Sequence, residues 1–495
     1  MNKLQTLIPN YRKLRRWLGF LVMTFLLVVV SRLPAAADTA KHYTDLNFAP
    51  LAEVQIPKYT RYKLNNGMVV YLMEDHELPL IGGTALVRTG DRLEPADQAG
   101  LGSITGQVMR TGGTTVHSGD ELNQLLEQRA ASVETGIGTT SGSASFSALS
   151  RDLDAVFDLF VEVIQKPAFA QDKLDFAKRQ AAGQIARRND DPNAIAGREF
   201  QKLIYGEGSP YARTVEYATL SKISRDDLVA FYERYFHPES MILGIIGDFE
   251  SDKMRSLIEE KFGKWSPPNQ PPKPIVPTAS QAKQGGVFFV NQPQLTQSYV
   301  QMGHLGGQLN SPDYAALDVL NQVMNGFGGR LFNEVRSRQG LAYSVYSFWS
   351  PNFDYPGTFL AGGQTRSDAT VPFIKSVRAE IEKLRSKPIT ATELAFAKDQ
   401  VLNSFVFKFQ DPGQTLSRLM RYEYFGYPAD FLFRYQQGVK ATTIEDVQRV
   451  AQKYLQPDKL VTLVVGSNSA IQPPLSNVST DVTSLDITIP PPSKS

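Results

Sequence analysis

Apolar positions along this chain of 495 residues follow two alternating rhythms. Short apolar runs at Met68–Met73, Met241–Gly247, Val287–Val290 and Leu460–Gly466 predict buried strands, with further strands at Gly83–Val87 and Ser298–Met302. Between them, Leu153–Val163 opens a helical stripe of Val156, Phe157, Phe160 and Ile164. Ser224 and Thr443 each precede an acidic turn and a helix that ends in Tyr-x-x-Pro, as N-caps do. Strands and helices so interspersed predict an α+β fold, each domain a mainly antiparallel sheet with helices packed on one face.

The pattern is written twice. Tyr235 and Tyr454, Pro238 and Pro457, Gly247 and Gly466 all share one offset of 219 residues. Lys166-Pro167 followed by Phe176-Ala177-Lys178 is matched by Lys387-Pro388 followed by Phe396-Ala397-Lys398. Solenoids repeat every ~20–50 residues, so this spacing means two homologous domains, expected at 54–264 and 287–467. Between them Trp265–Pro277 carries six prolines, an extended, semi-rigid spacer, and the linker is drawn at 265–286. Residues 468–495, with Pro473-Pro474 and Pro490–Pro492, read as a disordered tail.

Composition narrows the chemistry. Basic and acidic residues number 52 and 50, a balance that argues against a nucleic-acid partner. There is no cysteine, which removes disulfides, thiolate nucleophiles and cysteine zinc sites. The five histidines, His42, His76, His117, His237 and His304, are too far apart for a local two-histidine metal motif.

At the N-terminus, Lys3, Arg12, Lys13, Arg15 and Arg16 precede the apolar run Trp17–Val30 and then Ala35-Ala36-Ala37. As a helix that run spans roughly 21 Å, short of the ~30 Å hydrocarbon core. Residues 1–37 are therefore expected to be a signal peptide, with 38–53 an N-terminal extension. The mature chain would be exported, periplasmic or otherwise extracytoplasmic; a retained segment would instead anchor it to the membrane.

Leu64-Asn65-Asn66-Gly67-Met68-Val69-Val70, Arg88-Thr89-Gly90 and the stretch Ala99–Met109 leading to Gly113-Thr114 resemble the pitrilysin-type, inverted-zinc-motif metallopeptidases. The resemblance runs from about Val54 to Gly466. It implies two halves forming a clamshell, and an H-x-x-E-H motif bearing two zinc ligands and a general base. Here Ser103 and Gln107 stand at the histidine positions, Gly106 at the glutamate and Gln184 at the third ligand. Serine and glutamine are poor zinc ligands beside imidazole and carboxylate, and glycine can take no proton. No metal or cofactor is therefore expected in this chain, and alone it is expected to be inactive.

A second family signature survives in Gly328-Gly329-Arg330-Leu331 through Gly340-Leu341-Ala342-Tyr343. The glycines predict a helix start, Gly340 its stop, and Tyr343–Phe348 a strand. By resemblance, Arg336 and Tyr343 match an arginine and tyrosine that reach across to the zinc site, with Arg338 a neighbour. Asn325–Gly329 also resembles the glycine-rich loop of non-catalytic processing-peptidase subunits. What this implies is a non-zinc subunit that binds unstructured peptide and forms a heterodimer with a homologous zinc-bearing subunit, zinc residing in that partner. The alternatives are an inactive scaffold or peptide-binding protein, and a divergent enzyme using Ser103 with a distant His117 or His304.

Overall fold

The computed structural model describes residues 55–267, 269–272 and 275–492; the expected signal peptide and residues 38–53 lie outside the described residues. Strands β1 (Thr60–Lys63), β2 (Val69–Glu74), β3 (Leu80–Val87), β4 (Ser132–Ile137), β5 (Gly142–Leu149) and β6 (Met241–Gly247) form one six-stranded sheet, ordered β1-β2-β6-β3-β5-β4. Strands β7 (Gly286–Asn291), β8 (Gln297–Leu305), β9 (Ala342–Ser350), β10 (Thr358–Arg366), β11 (Val461–Gly466) and β12 (Val482–Ser484) form the other, ordered β12-β7-β11-β8-β10-β9. Five strands correspond one for one. In both sheets the first pair of that five, β2–β6 and β7–β11, is parallel and the rest antiparallel. Shared strand order is what the 219-residue repeat requires.

The helices of the first half are α1 (Leu101–Thr111), α2 (Gly119–Glu127), α3 (Leu153–Gln165), α4 (Gln171–Arg187), α5 (Pro192–Tyr205), α6 (Tyr217–Lys222), α7 (Arg225–Tyr235) and α8 (Ser251–Phe262). The second half carries α9 (Tyr314–Met324), α10 (Thr370–Ser386), α11 (Ala391–Phe405), α12 (Pro412–Phe425), α13 (Phe431–Ala441) and α14 (Ile444–Tyr454). Ser224 and Thr443 cap α7 and α14 by accepting from Asp227 N–H and Asp446 N–H, each in a reciprocal capping box. The stripe of Val156, Phe157, Phe160 and Ile164 is wholly buried under the first sheet. Among the described residues no helix is long and apolar enough to cross a membrane.

Helices on one face only is where the expectation fails, because each sheet's second face is covered by a helix from the other half. α5 lays Ile195, Phe200, Leu203 and Ile204 on β11 and β8 of the second sheet, in one cluster with Phe288 and Val290 of β7. α12 lays Leu416, Leu419, Met420 and Tyr424 on Tyr71, Met73 and Ile242 of the first. Glycines make room for both. A Cβ on Gly303 would meet Phe200 Cζ at 2.7 Å, and one on Gly244 would meet Met420 Sδ at 2.2 Å. Arg92 and Asp354 add a nearly buried bidentate ion pair between the halves, at 3.0 and 2.7 Å.

The segment after Gly466 is not the disordered tail its composition implies. β12 pairs in parallel with β7, Ile471 and Leu475 are buried, and Leu485 and Ile487 pack on the α5 cluster. The physical reason is an edge: without β12, β7 would present a row of unpaired backbone groups, as β2 would without β1. The linker is pinned as well, since Lys283 and Ala282 donate their N–H groups to the carbonyls of Leu203 and Ile204 at the end of α5.

Candidate functional site

α1 owes its start to Gly100, whose φ of 104° a side chain would resist, and to the buried Glu94. The Glu94 carboxylate accepts from Gly100 N–H at 2.9 Å and Gly102 N–H at 2.8 Å, holding the open end of the helix. Arg213 stands 4.0 Å away, yet burial dominates and pushes the Glu94 carboxyl up to about 7. Sequence reasoning missed Glu94; its only signal is an acid shortly before a helix start, and the loop that folds it back is not readable locally.

Leu101, Ile104, Val108 and Met109 turn α1 toward the core and leave Ser103 and Gln107 exposed one turn apart. Gln107 Nε2 donates to Gln180 Oε1 of α4 at 2.9 Å, and Gln184 lies exposed one turn further along α4. The Ser103 hydroxyl donates to the Gly100 carbonyl at 3.1 Å. Gly106, beside Gln107 on the helix, is buried against β4. A Cβ there would lie 2.4 Å from the Ile137 nitrogen and 2.7 Å from the Gly136 carbonyl carbon. Thr135 Oγ1 closes the seam by donating to Gly106 O at 2.6 Å.

These residues do not fit a zinc ion. Ser103, Gln107 and Gln184 offer only a hydroxyl and neutral amides, and a side chain at position 106 would run into β4 backbone. Among the described residues no group of three or more His, Asp or Glu side chains is arranged to hold a metal. Among the described residues no histidine is hydrogen-bonded to Ser103, whose hydroxyl is given to Gly100 O. His117 is hydrogen-bonded to Glu162 at 2.9 Å. His304 is buried, Nδ1–H donating to Leu305 O and Nε2 accepting from Gln456 N–H, and burial lowers its pKa.

The second-half motif is brought together. Residues Phe332–Arg338 wind as a π-helix where an ordinary helix was expected, with Leu331 and Val335 fully buried and Gly340 ending it at φ 62°. Such wide turns recur at functional positions. Arg330 anchors the start through a bidentate pair with Glu393, and Arg338 pairs with Glu334 rather than facing outward free. Arg336 is left between two rings, its Cζ 4.9 Å from the Phe332 centre and 5.4 Å from that of Tyr343. Tyr343 is 81% exposed at the start of β9, an edge strand of the second sheet. Phe327, in the glycine-rich loop, meets Phe332 edge-on at 5.1 Å and extends the row. Sequence reasoning found the arginine and tyrosine but not the two phenylalanines. Among the described residues no hydrogen bond or ion pair joins Arg336 or Tyr343 to α1.

Residues 84–210 match the sequence model described as Insulinase (Peptidase family M16), and residues 222–401 the one described as Peptidase M16 inactive domain. The chain belongs to the peptidase M16 family. Among similar proteins, a non-peptidase homolog, YmxG, of Helicobacter pylori is 22% identical over 420 residues, 84% of this chain and 95% of its own. An uncharacterized zinc protease, YmxG, of Bacillus subtilis is 22% identical over 413 residues, 83% of this chain and 98% of its own. The solved peptidase M16 inactive domain from Pseudomonas fluorescens superposes with a TM-score of 0.75 at 24% identity, covering 84% of this chain and all of that one. The periplasmic protease PqqL of Escherichia coli gives 0.71 at 17% identity, over 85% of this chain and 48% of that one. At such identities the structures establish the M16 fold alone.

Proposed function

We propose that this chain is the zinc-free subunit of a heteromeric M16 metallopeptidase. It would bind unstructured peptide in a clamshell chamber and supply Arg336 and Tyr343 to the active site of a homologous, zinc-bearing partner. The observation that carries this is a contrast between two helices. Gly106 is sealed against β4 backbone, while Arg336 is held under a Tyr343 ring that faces solvent. A fixed guanidinium can hold peptide carbonyls, and a phenol O–H can stabilise a tetrahedral oxyanion. The edge strand β9 offers main-chain groups to an extended peptide, whose recognition by strand addition accepts many sequences. The basic, apolar and small-residue order of residues 3–37 supports export to the periplasm or another extracytoplasmic space.

The test is co-expression with an M16 subunit that retains H-x-x-E-H. Chain and partner should co-purify and cleave unstructured peptides, while this chain alone carries no stoichiometric zinc and shows no chelator-sensitive cleavage. About one zinc per chain with cleavage by the isolated chain would overturn the proposal. A catalytically inactive scaffold or peptide-binding protein is the alternative, favoured by the likeness to the non-peptidase homolog of Helicobacter pylori. It takes the lead if a zinc-bearing partner cleaves equally well without this chain.

A further inference from the structure

A cleft of about 580 Å³ opens on the second half between α9, α12, α13 and the turn Val406–Phe409. None of Ser103, Gln107, Arg336 and Tyr343 lines it. Its size lies within the range of small-molecule sites.

The floor is aromatic and already ordered. Tyr314 stacks over Phe431 with ring centres 6.5 Å apart and planes 15° apart, and Tyr422 meets Phe431 edge-on at 5.5 Å. Phe353 completes the wall.

The rim is cationic. Lys408, Arg418 and Arg421 line it against one acid, Asp411. That acid is already engaged: its Oδ1 caps α12 by accepting from Gly413 N–H at 2.7 Å and Gln414 N–H at 3.2 Å. Arg418 is held in place, donating to Lys408 O at 2.8 Å with its guanidinium 5.7 Å over the Phe409 ring. Arg421 is exposed and makes no ion pair with a described carboxylate. Lys408 is half-buried, and loss of solvent lowers its pKa although the buried Asp318 beyond Tyr435 opposes that. An anion in the cleft would offset that loss.

We propose that this cleft binds an amphipathic carboxylate, its apolar body laid on the Tyr314–Phe431 stack and its carboxylate held by Arg418, Arg421 and Lys408. Guanidinium groups match a carboxylate's two oxygens in a planar fork, and the aromatic floor rewards a flat or chain-like apolar body. Both an aliphatic and an aromatic acid meet that description.

The test is calorimetric titration of the purified full chain with decanoate and, in a second arm, 4-phenylbutyrate. One carboxylate should bind per chain, and the preferred arm tells whether the natural ligand is aliphatic or aromatic. Decylammonium, with the same chain and the opposite charge, should not bind. Arg421→Glu should weaken carboxylate binding by about tenfold or more, with its thermal melt unchanged, since it reverses an exposed charge at the site. Arg421→Ala serves if the reversal disturbs folding, and should weaken binding in the same direction. Absence of binding by both acids, equal binding of decylammonium, or unchanged affinity in the folded variants would overturn the proposal. The measurement needs no zinc-bearing partner, so its outcome is independent of the peptidase role.

Discussion

The guanidinium of Arg336 lies 5.4 Å from the centre of the Tyr343 ring, across the end of a π-helix and the start of an edge strand. Seven residues apart in sequence, the two are one unit in space. The ring beside the guanidinium is 81% exposed.

If that unit completes a partner's active site, Tyr343→Phe should lower turnover of the assembled peptidase ~100- to 1,000-fold, the loss of one oxyanion donor. Arg336→Ala should also raise KM, and Arg336→Lys should recover little because an ammonium cannot reproduce the planar fork. Steady-state peptide cleavage by the reconstituted complex is the measurement. Complexes of normal stability and unchanged turnover would make both residues structural.

Gly106 should tolerate no side chain. Gly106→Ala drives a methyl into the backbone of Gly136 and Ile137 and should cost about 1–3 kcal/mol in urea unfolding. Ser103→His and Gln107→His, on the exposed face of the same helix, should each shift stability by only ~0.5 kcal/mol or less. Equal effects at all three positions would show that α1 is not sealed on β4.

The exchanged helices should differ in tolerance at their contact glycines. A Cβ on Gly303 meets the Phe359 carbonyl oxygen at 2.0 Å as well as the Phe200 ring, so Gly303→Ala should destabilise by about 1–3 kcal/mol. On Gly244 the nearest atoms belong to the flexible Met420 and Leu416 side chains, which can swing aside. Gly244→Ala should therefore cost clearly less, as read from paired denaturation midpoints.

Glu94 makes stability pH-dependent. Its carboxyl rises from the usual 4.5 to about 7 in the fold, so the folded state holds the proton more tightly than the unfolded chain. Its stabilising contribution is complete below about pH 4.5 and is lost as pH rises through about 7. Over that window the loss is about 3 kcal/mol. In Glu94→Gln that component of the decline should vanish, measured as the difference between the two proteins' urea stability at pH 5 and pH 8. A parallel decline in both would place the titration elsewhere.

The sequence by itself determined the repeat, the α+β class and the lack of histidine or carboxylate at positions 103, 106, 107 and 184. It could do so because periodicity, caps and ligand identity are local. Ser224 and Thr443 announce their helices to any reader of the next three residues, and a glycine at position 106 can hold no proton in any fold. What only the tertiary structure decided depends on groups distant in sequence. The exchange of α5 and α12 could not be read because an apolar stripe does not name the sheet it covers. The tail 468–492 looked disordered because Ser, Thr and Pro dominate it, yet the open edge of β7 gives its backbone a partner. Whether Gly106 was merely empty or physically sealed, and whether Arg336 and Tyr343 met, depended on β4 and the π-helix. Those are packing facts, fixed by distances that no local pattern encodes.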